Sequence, residues 1–386
     1  MIVAVLCVCV AALVALLALE CLLGVKRQGP LALRATMKQP DFTVLMPAHD
    51  EAHGIAQSIA AVMAQLSDRD RLLVVADNCS DDTAHIARTM GAEVVERFDP
   101  SLRGKGYALE FGRACLCGSA GDVVIVLDAD CIAEKDALAR LATAAFARDA
   151  VVQGAYLLMP RPDASAKVRI SCFAFLIKNL VRQRALNRLA GAALLQGSGM
   201  AFPRRIFDSV EWKAESLVED LDMGVDLLLA GERVVFEDSA AFFSDASSDA
   251  GTAGQRRRWE HGMLNSMVRH GPALLRHALG RDARLAWVAL DLMIPPTVIL
   301  IAGAFPVLAI AIAIAMAGLA LPVALLASAL LLLGFGLARA WQAEGRAILP
   351  LQSIGQIPAY IFWKLPIAAQ FISRRERQWI RTEREP

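Results

Sequence analysis

The chain has 386 residues, a net charge of +1 and 56% hydrophobic residues, with a mean hydropathy of +0.45. So apolar an average excludes a wholly soluble enzyme and puts part of the chain in lipid, while so balanced a charge gives no argument for a nucleic-acid partner. The eight cysteines form no C-x-x-C and have no histidines at zinc-finger spacing, so they read as small apolar core residues in a reducing compartment.

In chain order, Met1–Gly24 is apolar apart from Glu20. It is long enough to span a bilayer and lacks both a basic start and a clear cleavage site, so residues 1–25 read as an uncleaved transmembrane anchor. Lys26, Arg27, Arg34 and Lys38 come next, with no acid before Asp41. That asymmetry puts the segment after the anchor on the cytoplasmic side of an inner or plasma membrane.

Residues 40–260 change character. FTVLMPA, RLLVVAD, GAEVVERF, DVVIVLDAD, AVVQGAYLLM and RVVFED are strand-like runs. Helical patterns lie between several of them: Thr83–Met90 ending at Gly91, Asp136–Arg148, and Leu221–Ala230 ending at Gly231. This alternation predicts an α/β domain with a mostly parallel central sheet covered on both faces. In such sheets ligands bind beyond the carboxyl ends of the strands. Three predicted strand ends carry acids: Asp50 and Glu51 after the first, Asp77 on the second, Asp128 and Asp130 in VLDADC. Their convergence would suit a nucleotide and a divalent cation.

Read along a strand, Asp128 and Asp130 point the same way. Paired carboxylates offer hard oxygen ligands for Mg²⁺ or Mn²⁺, although a lone D-x-D also reads as a solvated loop start. In DNCSDD, capping and the helix dipole account for Ser80, Asp81 and Asp82 but not for Asp77, whose carboxylate suits the imide N–H of uracil. In RGKGYAL, Gly104 and Gly106 flank Lys105, which suits a diphosphate as well as a solvated turn. SLVEDLDMG places Glu219, Asp220 and Asp222 at a helix start, either as dipole-favoured acids or as a general base facing the cleft. His49 and His53 in H-D-E-A-H do not match the H-E-x-x-H zinc pattern.

GQRRRWEHG precedes an amphipathic stretch, and residues 261–290 read as an interfacial helix. Its arginines suit phosphate and Trp259 a sugar face, or the whole is a basic helix at the membrane surface. From Leu292 to Ala338 no residue is charged. One helix of that length would run about 70 Å, so 291–340 reads as two spans turning near Gly318 and Pro322. Pro350, Pro358 and Pro366 interrupt 349–373, which reads as an interfacial or re-entrant helix, and 374–386 as a cytoplasmic tail.

The order PAHDE, VADNCSDDTA, GKGYAL, LDADC, QGSGMAF, VEDLD, QRRRW and then membrane helices resembles the membrane-bound family 2 glycosyltransferases, the group of the cellulose, chitin and hyaluronan synthases and many bacterial exopolysaccharide enzymes. The resemblance runs from about residue 40 to 265. It implies a GT-A fold (a Rossmann-like cytoplasmic domain beside transmembrane helices) and a UDP-sugar donor. It further implies inversion at the anomeric carbon and a divalent cation, Mg²⁺ or Mn²⁺. By position, Glu51, Asp77, Lys105 and Asp128 look like donor contacts, Asp128 and Asp130 the metal pair, and Asp220 the catalytic base. Gln255, Arg258 and Trp259 match Q-x-x-R-W beside the diphosphate and acceptor, and Gly197, Ser198 and Gly199 fall where an acceptor threads. Implied partners are a saccharide or lipid-linked acceptor, membrane lipids and other polysaccharide-assembly proteins. Position 50 departs from the pattern, with Asp where Asn is usual, and the spans are fewer than in processive polymer synthases. A single-sugar transferase acting on a membrane lipid, or a scaffold with an inactive domain, are the rival readings.

Overall fold

A computed structural model describes residues 2–29, 39–118, 121–212, 216, 218–247, 249–280, 282–314 and 320–373. The chain divides into two compact units. One gathers residues 28–159 and 192–245; the other gathers 1–27, 160–191 and 246–377.

The first unit is built on an eight-stranded sheet: β1 (Phe42–Ala48), β2 (Arg71–Asp77), β3 (Glu93–Arg97), β4 (Val123–Val126), β5 (Cys131–Ala133), β6 (Val151–Met159), β7 (Met200–Pro203) and β8 (Val234–Asp245). Their order is β3-β2-β1-β4-β7-β6-β8-β5. The β1–β2, β1–β4, β2–β3 and β6–β8 pairs are parallel; β7 runs antiparallel to β4 and β6, and β5 to β8. The six expected strands are present. The short β5 and β7 were not expected, because three or four residues carry no readable period. β1 and β2 read BBBBBiB and iBBBBBB in burial, the continuous apolar run of a strand covered on both faces. The chain leaves β1 first toward β2 and β3, then returns to β4 on its other side. That reversal makes the carboxyl ends of β1 and β4 a topological switch point, where open α/β sheets leave a crevice.

Phe202, Phe207, Phe236 and Phe242 are fully buried in this unit. Phe202 and Phe207 pack against Trp212 with ring centroids 5.4 and 5.8 Å away. Truncating a core aromatic of this kind costs about 3–5 kcal/mol.

The second unit is helical, and it takes residues 160–191 and 246–260, which the sequence pattern alone assigns to the 40–260 block. Ala166–Ala190 forms one helical stretch with a π-helical segment at Ile177–Arg182. Asp249–Gly280 is a single helix through Pro272, so no break falls at residue 260. The cause is polar pairing that no local pattern shows. Arg182, 2% exposed, donates to Glu20 at 2.8 Å and to Asp291 at 2.9 Å. Glu20 and Asp291, the isolated acids of two apolar segments, thus share one buried guanidinium. Removing one partner from such a cluster leaves a charge without compensation, a loss of about 3–5 kcal/mol.

Ile2–Gly24 and Ala320–Gly345 are each long and apolar enough to cross a membrane. Leu285–Met293 and Thr297–Ala313 pass the same test only together, bent by 69°. That gives two span-capable helices among the described residues, or three if the bent pair counts as one. The bend lies at Ile294, Pro295 and Pro296, where proline withholds the N–H groups that would continue the helix. Helices Ile2–Gly24 and Ala320–Ala340 run in the same direction: Gly336 lies against Cys21, and Arg27, beyond one helix end, pairs with Glu344, beyond the other, at 3.1 Å. Segment 349–373 forms helices Leu351–Ile354 and Ile357–Ser373. Gly318 and the tail 374–386 lie outside the described residues. Of the cysteines, Cys7, Cys21, Cys131 and Cys172 are buried as expected, whereas Cys9, Cys115 and Cys117 are exposed.

Candidate active site

The loops after β1 and β2 are laced together by their own polar groups. Asp50 has φ +52°, in the left-handed region that Asp and Asn tolerate better than other side chains. Its Oδ1 accepts the Ser80 N–H at 2.6 Å. Asp at this position thus adopts a conformation that Asn also tolerates. The Glu51 N–H donates to Thr83 Oγ1 at 2.7 Å, and the Ala52 N–H donates to Asp81 Oδ2 at 3.0 Å. Asp81 Oδ1 also accepts the Thr83 N–H at 3.0 Å, at the start of helix Thr83–Thr89. Asp81 of DNCSDD thus organises the loops together with Asp50, while Asp82, the N-cap residue, makes no side-chain capping bond. Asp50, Cys79 and Asp81 do offer three ligand atoms within 4.8 Å of one another, but both carboxylates already accept these N–H groups.

Asp77 is different. It ends β2 and is 5% exposed. Its Oδ1 accepts from Arg97 Nη1 at 2.6 Å and from Asn78 Nδ2 at 3.1 Å; Oδ2 takes no hydrogen bond from the described residues. Arg97, at the end of β3, is a partner that sequence reasoning missed. Nothing in the sequence places it opposite Asp77 until the β2–β3 register pairs them.

The D-x-D pair does not lie on a strand as expected. β4 stops at Val126, and Asp128 to Cys131 form a turn closed by the Cys131 N–H on the Asp128 carbonyl at 3.0 Å. Asp128 and Asp130 are half-buried and Ala129 buried, so both acids still face outward, through the turn rather than strand alternation. Lys105, the first residue of helix Lys105–Cys115, pairs with Asp128 and donates to the Gly197 carbonyl at 2.6 Å. Asp220 sits in the first turn of helix Glu219–Leu229. A Cβ added at Gly197, whose φ is +93°, would lie 3.1 Å from Asp220 Oδ2 and 3.7 Å from Lys105 Nζ. Lys105, Asp128, Gly197 and Asp220 therefore share one corner of the cleft. Asp77 and Asp128 end strands two places apart in the β2–β1–β4 order, roughly 10 Å at ordinary strand spacing.

The charges in this corner press on one another. Burial holds the Asp128 carboxyl above the usual range, Asp130 and Asp220 push the same way, and Lys105 pulls against them. Burial pushes Glu219 up to about 8, Asp220 adds to it, and Lys105 and the Gly106 N–H oppose it. Burial lowers the Lys105 ammonium, but Asp128, Asp220 and Glu219 more than offset that, so the net shift is upward. Clustered hard oxygen donors with surplus negative charge suit Mg²⁺ or Mn²⁺, and Asp128 with Asp130 fit the role of its ligands.

Arg258 and Trp259 belong to the helical unit, where Trp259 packs on Phe175 with ring centroids 5.5 Å apart; the Gln255 side chain lies outside what is described. Ser198 and Gly199 are buried and Gly197 only half-buried. Ser198 is tied to the D-x-D turn: its hydroxyl accepts the Asp128 N–H at 3.0 Å.

The family model for glycosyltransferase like family 2 matches residues 40–262. Among curated proteins, the probable glycosyltransferase YdaM of Bacillus subtilis (strain 168) is 28% identical over 222 residues, 53% of this chain and 50% of that protein. The poly-beta-1,6-N-acetyl-D-glucosamine synthase of Staphylococcus aureus (strain COL) is 25% identical over 252 residues, 60% of this chain and 58% of that one. The chain thus spans about half the length of the curated relatives it matches. Among solved structures, the mannosyltransferase PcManGT from Pyrobaculum calidifontis, in complex with GDP-Man and Mn²⁺, superimposes with a TM-score of 0.62 at 18% identity, covering 97% of this chain and 99% of that one. At that identity the likeness is one of fold, and the fold is GT-A.

Proposed function

Because the chain belongs to the glycosyltransferase like family 2, we propose that it moves a sugar, with inversion, from a UDP-sugar to a hydroxyl of a saccharide or lipid-linked acceptor at a membrane. The observation that carries this reading is the meeting of Lys105, Asp128, Gly197 and Asp220 at the carboxyl ends of the central strands. Asp77 Oδ2 is left as an acceptor for the base, and Glu51 lies one strand end away. Lys105, at a helix N-terminus, binds and orients the diphosphate, where the helix dipole adds to its charge. Asp128 and Asp130 would hold a divalent cation, which would supply charge neutralisation for a diphosphate leaving group. Asp220 takes the proton of the attacking acceptor hydroxyl, a role worth roughly 10²–10⁴-fold in rate.

The second reading within this class is addition of one sugar to a membrane lipid rather than polymer synthesis. The two or three span-capable helices among the described residues favour it, since so few spans make little wall for a polymer channel.

The test is incubation of membranes carrying the protein with a panel of radiolabelled UDP-sugars. Label from one of them is expected in lipid or polymer, and Asp220→Asn is expected to remove it while UDP still binds. Absence of label with every UDP-sugar, or full activity of Asp220→Asn, would overturn the proposal.

A further inference from the structure

Gln153 lies on β6 with no exposed surface, and its amide faces the loop that carries Gly197. Its Oε1 accepts the Gln196 N–H at 2.8 Å. Its Nε2 donates to the Ser198 carbonyl at 2.8 Å, to the Gly154 carbonyl at 2.9 Å and to the Gly199 carbonyl at 3.3 Å. The orientation of this amide is fixed by its partners. A backbone N–H only donates and a carbonyl only accepts, so oxygen must face Gln196 and nitrogen must face Ser198.

We infer that Gln153 is a positioning residue for sugar transfer: by gripping residues 196–199 from both ends it sets where Asp220, Lys105 and Asp128 stand relative to one another. The chain of contacts is short. The loop held by Gln153 presents the Gly197 carbonyl to Lys105 and the Ser198 hydroxyl to the Asp128 N–H. Its Gly197 Cα lies against the Asp220 carboxylate. Release of the grip moves three polar groups of the cleft at once. Below the loop there is no slack, since a Cβ at Gly199 would fall 2.5 Å from the Phe242 ring. Above it, nothing but Gln153 donates to the buried Ser198 carbonyl among the described residues. The inference rests on the transferase reading above, and Gln153 itself touches no substrate.

Two variants of the full-length protein test it. Gln153→Met keeps length and shape but has neither donor nor acceptor of comparable strength. Gln153→Glu keeps the oxygen for the Gln196 N–H; ionised, it turns a second oxygen on the Ser198 carbonyl, whereas protonated it offers one O–H donor there and restores that bond, though not the one to Gly154. A misplacement near 1 Å costs about 100-fold, so Gln153→Met should lose roughly 10–100-fold in kcat per UDP-binding site. UDP should still bind well enough to count sites, with donor KM rising by a smaller factor than kcat falls, because Lys105 and Asp128 keep their other anchors. Hydrogen exchange at the 196–199 amides should quicken while β6 stays protected. Gln153→Glu should recover turnover relative to wild type as pH is lowered, a signature that loss of packing would not produce. Wild-type turnover per UDP-binding site in Gln153→Met, or unchanged exchange at 196–199, overturns the inference. If the wild-type protein transfers sugar from no UDP-sugar, the transferase reading falls instead, and the exchange measurement still decides whether Gln153 holds the loop.

Discussion

Substitution of Gly197 by alanine separates backbone strain from damage to the cleft. Gly197 has φ +93°, and its Cβ would lie 3.1 Å from Asp220 Oδ2. Gly231 has nearly the same dihedral, φ +90°, with no atom within 4 Å of a Cβ. A left-handed conformation costs an L-residue about 1–2 kcal/mol, so Gly197→Ala and Gly231→Ala should each lower the stability of the sheet unit by about that much. Only at Gly197 does the new methyl also press on a functional atom. The contact is a few tenths of an ångström too close, and the carboxylate is the mobile partner, so Asp220 moves rather than the backbone. A small displacement of a general base costs roughly 10-fold or more in turnover. The assay pairs urea denaturation with turnover of the UDP-sugar found in the label panel. Gly231→Ala should keep near-wild-type kcat at equal destabilisation. Equal kcat in both variants would refute the placement of Asp220 beside Gly197 as the working geometry, and a tenfold loss in Gly231→Ala would show that strain alone impairs catalysis.

Other outcomes depend on the same cleft. Asp130→Ala should remove the part of UDP affinity that depends on Mn²⁺, so that calorimetry with and without the ion gives the same Kd; a persistent Mn²⁺ effect would argue for ligands elsewhere. Arg97→Met leaves the Asp77 carboxylate buried beside Asn78 alone, and should cost about 3 kcal/mol in urea denaturation and weaken UDP binding. An unchanged midpoint would show that the pair is already solvated. Glu219 has its folded-state pKa raised from about 4.5 to about 8. The folded protein therefore keeps a proton that the unfolded chain releases, and stability should fall as pH rises through that window and level off above about 8. Glu219→Gln should flatten this slope in thermal unfolding between pH 5 and 8.5; a wild-type curve already flat there would contradict the buried placement of Glu219.

The order of motifs between residues 40 and 265, the alternation of apolar strands with helices and the long uncharged segments were legible in the chain itself. They identify a GT-A domain and helices suited to a membrane because they rest on local periodicity and on residue types whose chemistry is intrinsic: β-branched runs, acids at strand ends, uninterrupted apolar stretches. The sequence also pointed to Lys105, Asp128 and Asp220 as functional. Three features were decided only by tertiary structure. Arg97 reaches Asp77 through the β2–β3 register, Gln153 reaches Ser198 across the β6–β7 pairing, and Arg182 joins Glu20 to Asp291 from a segment more than a hundred residues from either. Gln153 lies inside an apolar run, where local pattern predicts only burial, and Arg97 and Arg182 lie among other polar residues, where it predicts a solvated side chain. What a buried polar group pairs with depends on which distant strand or helix lies opposite, and that is set by packing of the whole chain rather than by the residues beside it.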